Sequence, residues 1–481
     1  MEPKAAALAR GTRDFGPAQM RRRQFVFGII TEAFRRYGYG PLETPAMEQM
    51  ATLTGKYGDE GDKLIFHILN SGNFAEGIEE GVWMHQRSNP KDLVPLISEK
   101  ALRYDLTVPL ARFVAMNHSK IAWPFKRYQI QPVWRADRPQ KGRFREFVQC
   151  DADIVGQEIS TFHRAELLRI YQEVLEALGF HSFAVKVNDR RLLALLAAWG
   201  GISGRWAALG IQLDKLDKQG WDKVGPELVQ LGMRSDAVEH LQVALPATDG
   251  DGFVMSWEAY RNAVSRWMQD PNCIEDAGLR EQTELALDQT QQMVEAYERL
   301  GSSPSKLTFD PCLARGIDYY TGPVVEVVSP ALGLGSLGGG GYYSGLTAMF
   351  GYPDWKGMGI SFGAERILEG MEQLGLFREE VGRGLDILCY ATSPEMELMA
   401  QQWTARWRSL GLAADWYAGT GKFKKAYQYA QLTETVALVI LGDREWGQGE
   451  VTVQWIQGDR SMKVQPEQID ADFLRSALKQ A

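Results

Sequence analysis

From residue 17 to 45 the chain reads PAQMRRRQFVFGIITEAFRRYGYGPLETP, with Phe25, Phe27, Ile29, Ile30 and Phe34 recurring at mostly helical spacing. That spacing predicts one long amphipathic helix, stopped by Gly38 and Gly40. PLETPAME then reads as a short strand ending at Pro45, and DKLIFHILN (62–70) as a strand leading into a polar turn. Residues 71–96 mix Gly, Glu, Asn and Pro without a clear period and read as loop with room for a short helix. KALRYDLTVPLARFVAMN predicts a strand, then a helix after Thr107 and Pro109. FKRYQIQPVWRAD and RFREFVQCDADIVG are two strands around the polar loop RPQKG, an antiparallel hairpin whose loop is too long for a tight turn.

A helix is predicted from about Ser160 to Leu178, and a strand at FAVKVND. Residues 190–305 are mostly helical and mixed in charge, as an inserted helical module would be. Strand character resumes at KLTFDPCLARGIDYYTGPVVEVV and passes through a glycine-rich loop to GMGISFGAERILEGMEQLG, a strand running into a helix. After REEVGRG, short strands at LDILCYA, LAADWYA, VALVILG and EVTVQWI alternate with helices around 394–410 and 422–432. That is the pattern of a compact α/β domain. The expected class is α+β, divided as 1–189, 190–305, 306–382 and 383–481.

Composition narrows this picture little. The 481 residues suit two or three folded units of ordinary globular composition. No secretory signal is expected from MEPKAAALARGTRDF, and no run of about 20 apolar residues suggests a membrane span. Cys150, Cys273, Cys312 and Cys389 are scattered without C-x-x-C, which fits a reducing cytoplasm. The formal net charge of −8 disfavours a non-specific nucleic-acid coat but leaves room for local basic patches.

The hairpin carries the first chemistry. One face of its second strand shows Arg145, Phe147, Gln149, Asp151 and Asp153; the other is apolar after Glu146. A half-buried antiparallel strand also shows a polar face, so this strand alone leaves two readings open. The facing strand adds Arg127, Arg135 and Asp137, and the loop adds Arg138, Lys141 and Arg143. Guanidiniums for phosphate and a ring for a base suit a nucleoside triphosphate. GLGSLG, at Gly333–Gly338, matches a dinucleotide fingerprint only literally, because more glycines follow it instead of a helix.

These segments resemble known motifs. WRADRPQKGRFREFVQCD resembles motif 2 of the class II aminoacyl-tRNA synthetases, GYGPLETP their motif 1, and GMGISFGAERI their motif 3. LRYDLTVPLARF, FREFVQCDADIVG and LARGIDYYTG resemble the histidyl-tRNA synthetase family more specifically, over almost the whole chain. The resemblance implies an antiparallel class II catalytic core with a helical insertion, and a C-terminal α/β anticodon-binding domain. It implies a histidine–tRNA ligase using ATP with Mg²⁺, acting on L-histidine and tRNA(His) as a cytoplasmic homodimer without membrane attachment. A regulatory paralogue that partners ATP phosphoribosyltransferase is the runner-up. That paralogue usually lacks both the full arginine–tyrosine motif and the C-terminal domain, and this chain has both.

Residue by residue, the resemblance assigns Asp105 and Thr107, with Gln149, to the substrate α-amino group, and counts Leu106 between them among the histidine-binding residues. Asp153 and Tyr319 would meet the imidazole, with Tyr320 lining the same pocket. Phe147 would stack on adenine. Arg135 would contact the α-phosphate and the substrate carboxylate, Arg366 the γ-phosphate, and Arg143 either ATP or the tRNA acceptor end. Arg315 would act at the α-phosphate, its alternative being an ion pair with Asp318. No metal ligands are assigned. The chain departs from the family at GGGYYSGL, where Tyr342 and Ser344 replace the usual arginine and aspartate.

Overall fold

The computed structural model of the chain describes residues 6–55, 57, 61–140, 142–245, 255–270, 277–314, 319–418, 422–458 and 460–479. Arg315, Asp318 and Lys141 lie outside the described residues. Contacts divide the chain into two compact units, Met1–Arg13 with Val26–Leu376 and Asp14–Phe25 with Phe377–Ala481.

The strands of the first unit are β1 (Gly40–Pro41), β2 (Met47–Gln49), β3 (His67–Ile68), β4 (Lys100–Leu102), β5 (Phe125–Trp134), β6 (Glu146–Gly156), β7 (Ala184–Asp189), β8 (Leu307–Phe309), β9 (Tyr320–Val328), β10 (Gly338–Ser344) and β11 (Lys356–Gly363). Eight of them form one sheet in the order β1-β5-β6-β11-β10-β9-β7-β8, and β2-β4-β3 form a small separate sheet. The large sheet is antiparallel except at its edges, where β1 runs parallel to β5 and β8 to β7. The predicted hairpin forms its second and third strands, between β1 and β11. Register sets Arg127 opposite Asp153, Gln129 opposite Asp151, Gln131 opposite Gln149 and Val133 opposite Phe147.

Four local expectations change. PLETPAME is not one strand: only Gly40–Pro41 pairs in the large sheet, and Met47–Gln49 joins the small one. Prolines at 41 and 45 offer no N–H with which to continue a ladder. DKLIFHILN pairs only at His67–Ile68. Residues 71–96 contain a helix at Glu80–Gln86, and a second helix runs Pro90–Ile97. The glycine-rich stretch is not a loop but the interior strand β10, paired with β9 and β11.

The glycines of β10 answer to their surroundings. A Cβ at Gly338 would stand 2.7 Å from the Tyr171 ring, at Gly340 2.2 Å from the Gly359 carbonyl oxygen, and at Gly341 2.8 Å from the Tyr320 ring. Close approach of neighbouring groups therefore selects glycine where propensity argues against a strand. Behind the sheet, the predicted Thr161–Ala177 helix starts at Ser160, whose hydroxyl accepts from the His163 amide. Its Tyr171 hydroxyl donates to the carbonyls of Gly339 (2.7 Å) and Ser361 (2.9 Å), clamping two central strands from behind. The described residues of 190–305 are mostly helical as predicted, from Arg190–Trp199 to Ala277–Arg299, and fall within the first unit.

In the second unit β12 (Ile387–Ala391), β13 (Ala414–Trp416), β14 (Ala437–Leu441), β15 (Val451–Trp455) and β16 (Ser461–Val464) form a mixed sheet ordered β13-β12-β14-β15-β16. The last of these strands has no counterpart in the predicted pattern. Both faces of β12 are covered. Ile387, Cys389 and Ala391 pack with Trp407 of the Pro394–Ser409 helix, while Leu388 and Tyr390 pack with Ala426 and Ala430 of the Phe423–Leu432 helix. Burial on both faces is why ILCYA is apolar throughout instead of alternating. Among the described residues, no helix is long and apolar enough to cross a membrane.

Candidate active site

Asp105 lies just ahead of the Thr107–Asn117 helix and is 1% exposed. Its Oδ1 accepts from the Val108 amide at 3.2 Å, in the first turn of that helix, and from the Tyr57 hydroxyl at 3.1 Å. Its Oδ2 accepts from the Tyr319 hydroxyl at 2.8 Å. Burial pushes the Asp105 carboxyl above its ordinary value, and these hydrogen bonds with the nearby Arg135 pull it back. Thr107 meets the Tyr319 phenol, and Leu106 is wholly buried in the core.

Asp153, on β6, is held as tightly by a different set. Its Oδ2 stands 2.8 Å from Arg127 Nη2, and its Oδ1 accepts from the Tyr343 hydroxyl at 2.9 Å. Arg127, expected among the phosphate cations, is instead fully buried in this ion pair. Burial raises the Asp153 carboxyl and the Arg127 guanidinium lowers it. The phenol bonded to Asp153 is that of Tyr343, and the Tyr319 hydroxyl bonds Asp105. Asp151 shares the face and is also buried; its carboxyl is pushed up to about 7, by burial first and against the pull of Arg127.

A cavity of about 310 Å³ opens over the centre of the sheet. Arg135, Arg143, Phe147, Gln149, Tyr320 and Arg366 line it, so six of the expected residues meet in one space. The Arg135 guanidinium lies 4.3 Å from the Tyr104 ring centroid and 5.3 Å from that of Phe147, while its Nε donates to the Tyr104 carbonyl at 3.1 Å. Arg366, in the helix after β11, donates through Nη1 to the Ser336 carbonyl at 2.7 Å and through Nε to the Gly142 carbonyl at 3.4 Å. Arg143 is half exposed and stands 3.7 Å from Asp137. The Gln149 amide donates to the Ser361 hydroxyl at 3.3 Å.

The floor of this space is backbone. Gly338, Gly339 and Gly340 line the cavity. Beside it Gly357 and Gly359 leave room for side chains lying across the sheet: a Cβ at Gly357 would sit 2.3 Å from the Tyr343 ring, and one at Gly359 2.0 Å from Asp153 Oδ1. Tyr57, Tyr343 and the pairing role of Arg127 had no local signal in the sequence, because each acts on a carboxylate in another segment. The two departures from the family pattern fall outside the cavity lining. The Tyr342 ring lies 4.9 Å from the Arg164 guanidinium, and the Ser344 hydroxyl meets that of Thr321 at 2.9 Å.

Chemically, the arrangement offers two fixed, buried acceptors beside a cavity whose wall carries three guanidiniums and a phenyl ring. It suits a small ligand with N–H donors next to a phosphorylated one. Among the described residues, no three His, Cys, Asp or Glu side chains converge as a metal site. Glu326 and Glu365 line the same cavity and supply hard carboxylate donors.

Three kinds of similarity bear on this site. A family model described as histidyl-tRNA synthetase matches residues 98–367. The histidine–tRNA ligase of Cytophaga hutchinsonii is 41% identical over 459 residues, covering 95% of this chain and 97% of that one. The ligase of the same name from Christiangramia forsetii is 38% identical over 477 residues, covering 98% and 99%. A crystal structure of histidyl-tRNA synthetase from Nostoc sp. PCC 7120 shares the fold, with a TM-score of 0.76 over 100% of both chains at 22% identity.

Proposed function

The chain belongs to the histidyl-tRNA synthetase family, and from that premise we infer that it is a histidine–tRNA ligase, which activates L-histidine with ATP and transfers the histidine to the 3′ end of tRNA(His). One observation carries the assignment to this site. Arg135, Arg143 and Phe147 from the hairpin line one cavity with Arg366 from the distant motif 3 helix, alongside Gln149 and Tyr320.

In the first step a carboxylate oxygen of histidine attacks the α-phosphorus of ATP in line. A new P–O bond forms, the bond to the β-phosphate oxygen breaks, and histidyl-adenylate and pyrophosphate result. In the second step a ribose hydroxyl at the tRNA end attacks the activated carbonyl and AMP leaves. The protein forms no covalent bond to substrate; it positions groups and stabilises charge.

Asp105 and Thr107, with Leu106 between them, and Gln149 receive the α-amino group. The tyrosines beside Asp105 fix that carboxylate as an acceptor. Asp153 accepts from the imidazole N–H. Tyr319 meets the same ring, and Tyr320, in the cavity wall, lines that pocket. Arg135 bridges the α-phosphate and the substrate carboxylate, Arg366 holds the γ-phosphate, Arg143 takes ATP or the acceptor end, and Phe147 stacks on adenine. Arg315 keeps the α-phosphate role that its motif implies. Mg²⁺ on the triphosphate would have Glu326 and Glu365 at hand and would offset phosphate charge when bound.

The C-terminal α/β unit reads the anticodon, and the enzyme works as a homodimer in the cytoplasm. Histidine-dependent exchange of pyrophosphate into ATP tests the central reading. A folded, ATP-binding preparation that gives no exchange would overturn it.

A further inference from the structure

Arg127 is the buried guanidinium of the hairpin to which the chemistry above gives no role. It is fully buried, and its planar head joins two segments that are far apart in sequence. Nη2 stands 2.8 Å from Asp153 Oδ2 and donates to the Leu106 carbonyl at 3.3 Å; Nη1 reaches the Asp151 carbonyl at 3.5 Å. One rigid group thereby spans the Asp105–Thr107 segment and the strand carrying Asp153. The β5–β6 register sets residues 127 and 153 opposite each other, within reach of a long side chain at 127.

Its electrostatic effect follows from what surrounds Asp153. Asp151 shares the strand face, Arg127 comes from β5, Tyr343 from β10 and Tyr320 from β9; Asp105 and Tyr39 also face it. Three buried carboxylates close together resist ionisation, and a neutral carboxyl would present a donor where an imidazole N–H needs an acceptor. Arg127 supplies the cation that offsets this, and its fork fixes which oxygen is already taken. The other oxygen is tied to Tyr343, so the carboxylate cannot rotate freely.

We propose that Arg127 is a positioning residue for amino-acid recognition: it holds the Asp153 carboxylate ionised and oriented as the acceptor for the substrate imidazole, and locks it to the segment that takes the α-amino group. The proposal rests on the ligase reading and on Asp153 meeting the imidazole. Arg127 touches neither ATP nor the reacting atoms, so its removal strikes histidine recognition and spares the nucleotide.

Pyrophosphate exchange on the full chain, on Arg127→Gln, on Asp153→Asn and on the double variant tests it. Arg127→Gln is expected to raise the histidine KM about tenfold or more while the ATP KM stays within about threefold. In the Asp153→Asn background the same change is expected to add less than about twofold, because the two residues act through one contact. Effects that multiply in the double variant, or an equal loss for ATP, would overturn the proposal. Arg127→Lys keeps the charge without the fork and serves if the glutamine variant does not fold. It should raise the histidine KM severalfold with the ATP KM unchanged, and a parental histidine KM would sink the idea. Loss of exchange in the unsubstituted chain would instead remove the ligase reading, so the two failures are distinct.

Discussion

At the scale of single residues, the site depends as much on missing side chains as on present ones. A methyl at Gly359 would occupy space 2.0 Å from Asp153 Oδ1, so the carboxylate must leave its place between Arg127 and Tyr343. Gly359→Ala is expected to raise the histidine KM more than about tenfold and to cost about 1–3 kcal/mol of stability, with the ATP KM little changed. Exchange kinetics and a melting curve together check this. Asp151 makes a different prediction. Its carboxyl is pushed up to about 7, chiefly by burial, so the folded protein holds that proton more tightly than the unfolded chain does. The stability it contributes is complete below the ordinary carboxylate range and is lost as pH rises towards 7. Asp151→Asn has no charge to bury, so its melting temperature relative to the parent should climb between pH 4 and pH 7. A constant difference across that range would contradict the assignment.

Elements show where sequence was legible. The Thr161–Ala177 helix could be read because its period is regular and Ser160 caps it. The hairpin could be read because β5 and β6 are ten and eleven residues long. The strand β10 could not: a row of glycines has no alternation, and the groups that require it come from Tyr171, Tyr320 and β11. Strands of two or three residues, such as β1 and β3, are below what periodicity resolves. The site divides the same way. Motif residues that face the cavity were readable, while Tyr343, which reaches an aspartate 190 positions away, and Tyr57, which reaches one 48 positions away, were not.

The same strand explains the departure at 342. Tyr342 offers its ring to Arg164, whose guanidinium burial already disfavours, with Arg191 adding repulsion. Tyr342→Arg, which restores the family residue alone, would add a fourth cation to Lys356, Arg164 and Arg191. It is expected to cost about 1–2 kcal/mol by loss of the cation–ring contact and added repulsion, with exchange activity retained. Thermal unfolding beside an exchange assay would check both halves.

On the scale of the whole molecule, two units with their own cores make two kinds of loss separable. Trp407 is 0% exposed at the centre of the C-terminal core. Trp407→Ala is expected to destabilise that unit by about 3–5 kcal/mol. If adenylation belongs to the first unit alone, histidine-dependent exchange survives the change while charging of tRNA falls. Parallel assays on the same preparation would show it, and equal loss of both would mean the units do not fail independently.

The glycine run under the cavity has one more consequence. Glycine amides in open chain are quick to trade their hydrogens with solvent, yet Gly338–Gly341 pair with a strand on each side. In deuterated water these four positions should be among the slowest amides of the first unit, with lifetimes that report global opening. A stretch that looks in sequence like the loosest part of the chain would then serve as its internal clock for unfolding.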